Sequence, residues 1–555
     1  MKKVKILILI ALILFASILN FLPHIIYSYP LHVDEWVHYQ FSGHMNGDNK
    51  LYFGGSAYNL ELGFHFILSA LNFIGIPYIF MFRFFPALLT AILCFSVFIL
   101  TKKIFNEDAA LFSVLFIALL KSNVSLLGPM FLVPMSVGLI LITLGIYLLE
   151  VKSKLFFLPL AALLLIHPPS ALAYFLIINI NTLFNKKEIR NRVVLQIFAF
   201  IIALPLYIPL LFNKGLGAVD SLQFTIISGP LYIPRFIGYF SLIFICFGIY
   251  ELSMKKRYDF IVYILSFIIL IGLFYFAKIE YFIPYRRALM YLFLLLSIVF
   301  GAGCWKVANL VGKKKAIAVI AIVIAVLFIF LQLPSKMQST GEVYHIINEN
   351  EAKNIENIRN LNISGIVIAD PWKANAITPL SGKEVYTRIV QGPNETIEKK
   401  NEIAKNFLEE GCKNNTFLDE NDISVVYYEI CNNNFLTEIY DNVFVYKLRV
   451  ERVIDGDTFV LNTGEKVRLI CIDAPELGKK GGEEAKEFLK RLIEGKEVVL
   501  EKDISERDAY GRLLRYVYVM EGNETIFVNK ELVKRGQAEI FRYGNDTKRC
   551  DEIAS

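Results

Sequence analysis

The feature that most restricts this chain is a series of apolar runs, most of them near the length of a membrane span, that fills residues 1–334 and stops at Pro334. A helix rises ~1.5 Å per residue and a bilayer core is ~30 Å thick, so repeated runs of this kind imply a lipid solvent. They cover roughly 1–23, 80–101, 108–122, 127–149, 155–167, 168–184, 193–213, 232–250, 260–277, 288–305 and 316–334, which predicts a polytopic α-helical membrane domain of about eleven spans. Composition agrees: 55% of the 555 residues are hydrophobic and 19% charged, which excludes a disordered chain and an ordinary soluble enzyme. Charge divides at the same place, with 26 Lys and Arg against 12 Asp and Glu up to residue 334 and 31 against 39 beyond it. Eighteen of those 26 fall in loops that an odd span count puts on one face. The positive-inside rule then predicts a multi-pass protein of the cell membrane, with a cytoplasmic N-terminus and residues 335–555 outside. Residues 62–77 read as an interfacial helix, and 155–184 as a pair of helices broken at His167-Pro168-Pro169.

Beyond Pro334 the chain turns polar. A buried-strand run at Gly365–Ala369, a helical stretch at 396–410 and a second strand at Ile423–Tyr428 predict a small extracytoplasmic α/β module over 335–447. From 448 to 555, alternating residues mark strands near 448–454, 457–462, 466–472, 496–501 and 512–519. A helix on Ala485, Phe488, Leu489, Leu492 and Ile493 sits among them, and another lies near 527–536. Five short strands with an interposed helix predict an oligonucleotide-binding-type β-barrel. Cys412 and Cys431 are able to pair if that region is extracytoplasmic, and no C-x-x-C spacing suggests zinc.

Two places carry chemistry. In the first outer loop, adjacent carboxylates Asp34 and Glu35 follow the first span, where they can hold a divalent cation or act as a base. His24, His32, His38 and His44 in the same loop are irregularly spaced and read as ordinary loop histidines. The acidic pair, Leu60-Glu61-Leu62-Gly63-Phe64-His65-Phe66, Arg83-Phe84-Phe85-Pro86-Ala87-Leu88-Leu89 and Lys102-Lys103-Ile104-Phe105 together resemble the C-type membrane glycosyltransferases. That resemblance implies a polyprenyl-phosphate-linked sugar as partner, with Asp34 or Glu35 as the base or metal ligand.

The second place is near the C-terminus. Val453-Ile454-Asp455-Gly456-Asp457-Thr458, Val467-Arg468-Leu469-Ile470-Cys471-Ile472-Asp473-Ala474-Pro475-Glu476 and Asp508-Ala509-Tyr510-Gly511-Arg512 follow one another in the order of the thermonucleases, the staphylococcal nuclease-like family, which this part resembles from about 448 to 549. Phosphodiester hydrolysis needs a hard cation, a positioned water and positive charge on the phosphoryl oxygens. Carboxylates at Asp457 and Asp473 suit calcium, and the Ala474 carbonyl can add a third oxygen. The resemblance implies those three positions as the metal site, Glu476 as the residue that handles the attacking water, and Arg468 and Arg512 as the clamp on the phosphate. Ala474 stands where the family usually has threonine, and the family's long terminal helix is expected to be short or missing before Ser555. The expected activity is a membrane-anchored, extracytoplasmic, calcium-dependent nuclease acting on DNA or RNA. The alternative is a polyprenyl-phosphate-sugar glycosyltransferase in residues 1–447 that carries the nuclease-like domain as a second or degenerate module.

Overall fold

The computed structural model describes residues 3–45, 61–120, 122, 126–212, 237, 239, 241–277, 279, 283–312, 344–361, 363, 365–389, 395–433, 435–521, 524–542 and 544–555. Contacts gather the chain into two compact units, one Met1–Ile346 with Gln391–Pro393, the other Ile347–Val390 with Asn394–Ser555. The boundary expected at Pro334 and the apolar run 316–334 lie outside the described residues.

The first unit is helical. Its helices are α1 (Lys3–Phe21), α2 (Val33–His44), α3 (Leu62–Phe73), α4 (Tyr78–Ile104), α5 (Glu107–Leu119), α6 (Pro134–Glu150), α7 (Phe157–Ile166), α8 (Pro168–Phe184), α9 (Ile189–Phe212), α10 (Ser241–Met254), α11 (Tyr258–Ala277) and α12 (Tyr285–Val311). Among the described residues, four stretches are long and apolar enough to cross a membrane: Lys3–His24, Tyr78–Ile104, Tyr258–Ala277 and Tyr285–Leu310. The other apolar runs before residue 306 fall on shorter helices or on α9. Residues 62–77 open with α3, and the break at His167 separates α7 from α8, because proline at the start of α8 has no N–H to continue the preceding ladder. α12 is buried against α5 and α10. The α10–α12 crossing depends on two glycines. A Cβ on Gly248 would lie 1.9 Å from the Val299 carbonyl oxygen, and one on Gly303 would lie 1.7 Å from that of Phe244. Only hydrogen at these positions lets the two backbones meet.

Asp34 and Glu35, expected in an outer loop, lie in the first turn of α2 and are buried. Glu35 forms a capping box with His32. Its Oε2 accepts from the backbone N–H groups of Leu31 at 2.8 Å and His32 at 3.2 Å, and its Oε1 accepts from that of Leu132 at 2.7 Å. This carboxylate satisfies three backbone donors, those of the α2 cap, the residue before it and a residue ahead of α6.

The second unit begins with α13 (Glu349–Ile358), β1 (Ile366–Ala369), α14 (Ala374–Ser381), α15 (Glu395–Glu409), α16 (Asn415–Glu420), β2 (Ile423–Tyr427), β3 (Leu436–Tyr440) and β4 (Val443–Tyr446). The sheet order is β1-β2-β4-β3, with β1 and β2 parallel and the other pairs antiparallel. The disulfide between Cys412 and Cys431 forms.

β5 (Val450–Val453), β6 (Thr458–Leu461), β7 (Lys466–Leu469), β8 (Ile472–Asp473), α17 (Gly482–Ile493), β9 (Val498–Arg507), β10 (Leu513–Glu521), β11 (Glu524–Phe527), α18 (Val528–Lys534), β12 (Glu539–Ile540) and α19 (Cys550–Ala554) follow. The main sheet has six strands, in the order β11-β10-β7-β6-β5 with β9 also paired to β10. The sixth is β11, which folds back on β10 as a hairpin and was not anticipated among the five expected strands. Val498 N–H donates to the Leu448 carbonyl and Val450 N–H to that of Lys496, which links the start of β5 to the start of β9. A second disulfide, Cys471 to Cys550, ties α19 to the segment between β7 and β8.

The two halves of this unit meet at Glu465, on the turn between β6 and β7. Its carboxylate accepts from Tyr440 Oη at 2.6 Å and from Arg507 Nη1 at 2.8 Å and Nη2 at 3.1 Å. Burial alone would raise the Glu465 carboxyl, but these donors outweigh it and hold the group below the usual carboxylate range.

Candidate active site

The turn before β6 builds the first wall of the site. Ile454 and Asp455 both donate backbone N–H groups to the Thr458 carbonyl, and Asp457 N–H donates to Asp455 Oδ1 at 3.1 Å. Gly456 is required at its centre, since a Cβ there would lie 2.6 Å from that of Ala474 and 2.8 Å from that of Ala485 on α17. The turn is thereby pressed onto the helix, and Asp457 is fixed with its carboxylate inward, 6% exposed.

β7 builds the second wall. Arg468 pairs across the ladder with Thr458 on β6 and with Leu514 on β10, so it stands between the strands that carry the other site residues. Its guanidinium bridges two carboxylates, with Nη1 2.5 Å from Asp457 Oδ2 and Nη2 2.7 Å from Asp473 Oδ1. Asp457 also receives the Ala474 backbone N–H at 2.8 Å on Oδ2 and the Thr458 hydroxyl at 3.0 Å on Oδ1. Arg512, just before β10, donates Nε to Asp508 Oδ2 at 2.7 Å and Nη1 to Thr458 Oγ1 at 3.3 Å. A continuous chain of contacts therefore runs Arg512, Thr458, Asp457, Arg468, Asp473.

Burial pushes the Asp457 carboxyl up to about 6, against the lowering effects of Arg468 and the Ala474 N–H. Asp508 goes the other way: burial would raise it, but hydrogen bonds from Arg512 and the attraction of its guanidinium hold it low. An ionised Asp508 gives Arg512 a fixed orientation.

The expected site residues divide unevenly. Asp457, Asp473, Ala474, Arg468 and Arg512 come together. Glu476 does not join them by any contact of its carboxylate among the described residues; it is exposed on the turn between β8 and α17. Asp473 is also open, with its side chain 56% exposed. The donor set is made of oxygens, the kind a hard cation takes, and the Arg468 guanidinium pairs with both of its carboxylates. Sequence reading missed Thr458 as the bridge between Arg512 and Asp457, and Asp508 as the anchor of Arg512. The signal for both lay in the quoted motifs themselves, where each is a short polar side chain beside a site residue.

Residues 466–555 match the family model described as Staphylococcal nuclease homologue. That stretch contains Arg468, Asp473, Ala474, Glu476 and Arg512, and Asp457 lies shortly before it. Among similar proteins, a thermonuclease of Staphylococcus hyicus is 38% identical over 114 residues, 19% of this chain and 65% of that protein. Endonuclease YncB of Bacillus subtilis is 39% identical over 115 residues, 19% of this chain and 53% of its own length. An uncharacterized protein of Methanocaldococcus jannaschii, MJ1439, is 29% identical over 142 residues, 21% of this chain and 69% of that protein. The chain thus spans between about half and about two thirds of the length of these relatives.

Proposed function

We propose that residues 448–555 form a nuclease that hydrolyses phosphodiester bonds of DNA or RNA, displayed outside the cell membrane by a multi-pass helical region. The observation that carries this reading is the contact chain from Arg512 through Thr458 and Asp457 to Arg468 and Asp473, in a segment similar to thermonucleases and endonucleases. The β5-to-β9 link supports a closed barrel as its scaffold. Asp457 and Asp473, with the Ala474 carbonyl, would hold calcium, which when bound supplies Lewis-acid polarisation of the phosphoryl group. Arg468 and Arg512 present planar forks to phosphate oxygens and stabilise charge as it builds on them. Glu476, exposed at the rim, is free to meet a water and take its proton. Grip at the phosphate implies little sequence preference. An outside location draws support from two disulfides in the second unit, while Cys94, Cys246 and Cys304 of the apolar part are unpaired.

The test is cleavage of single-stranded DNA by the full chain in detergent, with calcium and with a chelator. Arg468→Lys, Arg512→Lys and Glu476→Gln are expected to lose activity by about 10²-fold or more, and chelation to abolish it. Undiminished cleavage by all three variants would remove the proposal. The second reading, a polyprenyl-phosphate-sugar glycosyltransferase, keeps Asp34 as its base and loses Glu35, whose oxygens are occupied by three backbone donors. Sugar transfer from a lipid carrier that vanishes in Asp34→Asn would establish it.

A further inference from the structure

The helical unit holds a second cluster of chemistry-bearing side chains that neither the nuclease site nor the helix-start role of Glu35 uses. His38 lies on α2, Glu61 immediately before α3, and His65 four residues after Glu61, which places the last two on one helix face. One ligand atom from each of the three lies within 4.8 Å of the others. His38 Nδ1 and His65 Nε2 are hydrogen-bonded at 2.9 Å, which orients the two rings, and the other nitrogen of His38, Nε2, is 3.9 Å from Glu61 Oε2. His38 and His65 are 3% and 0% exposed, and apolar rings enclose them, Phe64 edge-on to His38 and Phe41 stacked on His65.

The imidazole-to-carboxylate separation is too long for a hydrogen bond. It is close to the spacing of two ligands on one ion, since atoms bonded at ~2.0–2.2 Å to a tetrahedral centre lie roughly 3.5 Å apart. A further imidazole, itself held by hydrogen bonds, stands beside the set. His167 Nε2 faces the other Glu61 oxygen at 3.7 Å, and His167 Nδ1 is 2.6 Å from Ser170 Oγ, itself 2.8 Å from Tyr291 Oη. These hydrogen bonds fix His167 next to Glu61, in the position of an outer neighbour to a metal-binding set.

We propose that His38, Glu61 and His65 bind a first-row divalent cation of the zinc class, with His167 as a positioning residue against Glu61. Two imidazoles and one carboxylate satisfy the ion's preference for nitrogen and oxygen donors and leave a fourth position for water or a ligand. The site belongs to the helical unit and is independent of the nuclease reading.

Full-length protein in detergent, stripped with chelator and then dialysed against zinc chloride, should retain about one zinc per chain by plasma mass spectrometry. His38→Ala, Glu61→Gln and His65→Ala should each weaken retention tenfold or more, while an Asp457→Asn, Asp473→Asn double variant keeps it. Because an alanine variant can misfold, cobalt loading of the unaltered chain is the second measurement, with a tetrahedral-type visible spectrum that zinc displaces. Unaltered protein that retains neither metal, or a His38→Ala, His65→Ala double variant that retains zinc as well as the parent, overturns the site.

Discussion

The two units share close glycine packing and bridging ion pairs, and differ in their covalent ties. In the helical unit the cysteines are unpaired and backbones approach through glycine, as at Gly248 and Gly303. In the C-terminal unit two disulfides and bridging ion pairs at Arg468 and Glu465 join segments distant in sequence. The proposed membrane setting of the helical unit accounts for the difference. Lipid tails offer dispersion contacts as good as those of apolar side chains and no hydrophobic drive between helices, so in a membrane close packing does the holding. In water a modest β-domain gains from cross-links that restrict its unfolded chain. If that account is right, perturbations should separate cleanly by unit.

The largest separation should come from reduction. Opening Cys412–Cys431 and Cys471–Cys550 should destabilise the C-terminal unit by about 2–5 kcal/mol per bond, and leave helical content of the first unit unchanged. Hydrogen exchange with and without reductant reads both at once, and equal loss of protection in α12 would break the comparison. The converse perturbation is Gly248→Val. Its side chain must displace the Val299 backbone, which costs about 1–3 kcal/mol or more, and the thermal transition of the helical unit should fall while the proposed nuclease activity at 25 °C persists.

These contrasts also mark what was legible in the sequence. The apolar runs announced the helices because continuous apolar length is what a membrane-spanning helix needs, and the convergence of Asp457, Arg468 and Asp473 was legible because their motifs resemble those of the thermonucleases. Cys471–Cys550 was not, since its partners are 79 residues apart and spacing cannot choose among pairings. The His38, Glu61 and His65 cluster was hidden for the same reason: two segments meet, α2 and the start of α3, and only the Glu61-to-His65 spacing hinted at a shared face. The role of Asp34 and Glu35 was not legible, because a carboxylate at a helix start looks the same in sequence whether it serves a reaction or, as Glu35 does, accepts backbone N–H groups.

A smaller effect is expected at Glu465, where the donors hold the carboxyl below its ordinary value. A group whose folded pKa is lowered stabilises above the unfolded value, near 4.5, and loses that contribution as pH falls through the folded value. Glu465→Gln should therefore cost about 1.5–3 kcal/mol at pH 7, with the gap from the parent closing below pH 4.5. Denaturant melts across pH 3–7 read it, and a gap that widens in acid would reverse the assignment.

The smallest effect belongs to a pair that looks just as good on distance. Arg535 Nε is 2.7 Å from Glu531 Oε1 on α18, but the arginine side chain is 61% exposed. Water screens the attraction, and holding two long side chains in register consumes rotamer entropy, so such i,i+4 pairs contribute about 0.3–0.5 kcal/mol. Arg535→Ala should shift the C-terminal melt barely beyond error, and 0.5 M salt should erase the difference. A loss comparable to that of Glu465→Gln would mean that burial does not rank the ion pairs of this unit, and that Arg468 is held no more firmly than a surface residue.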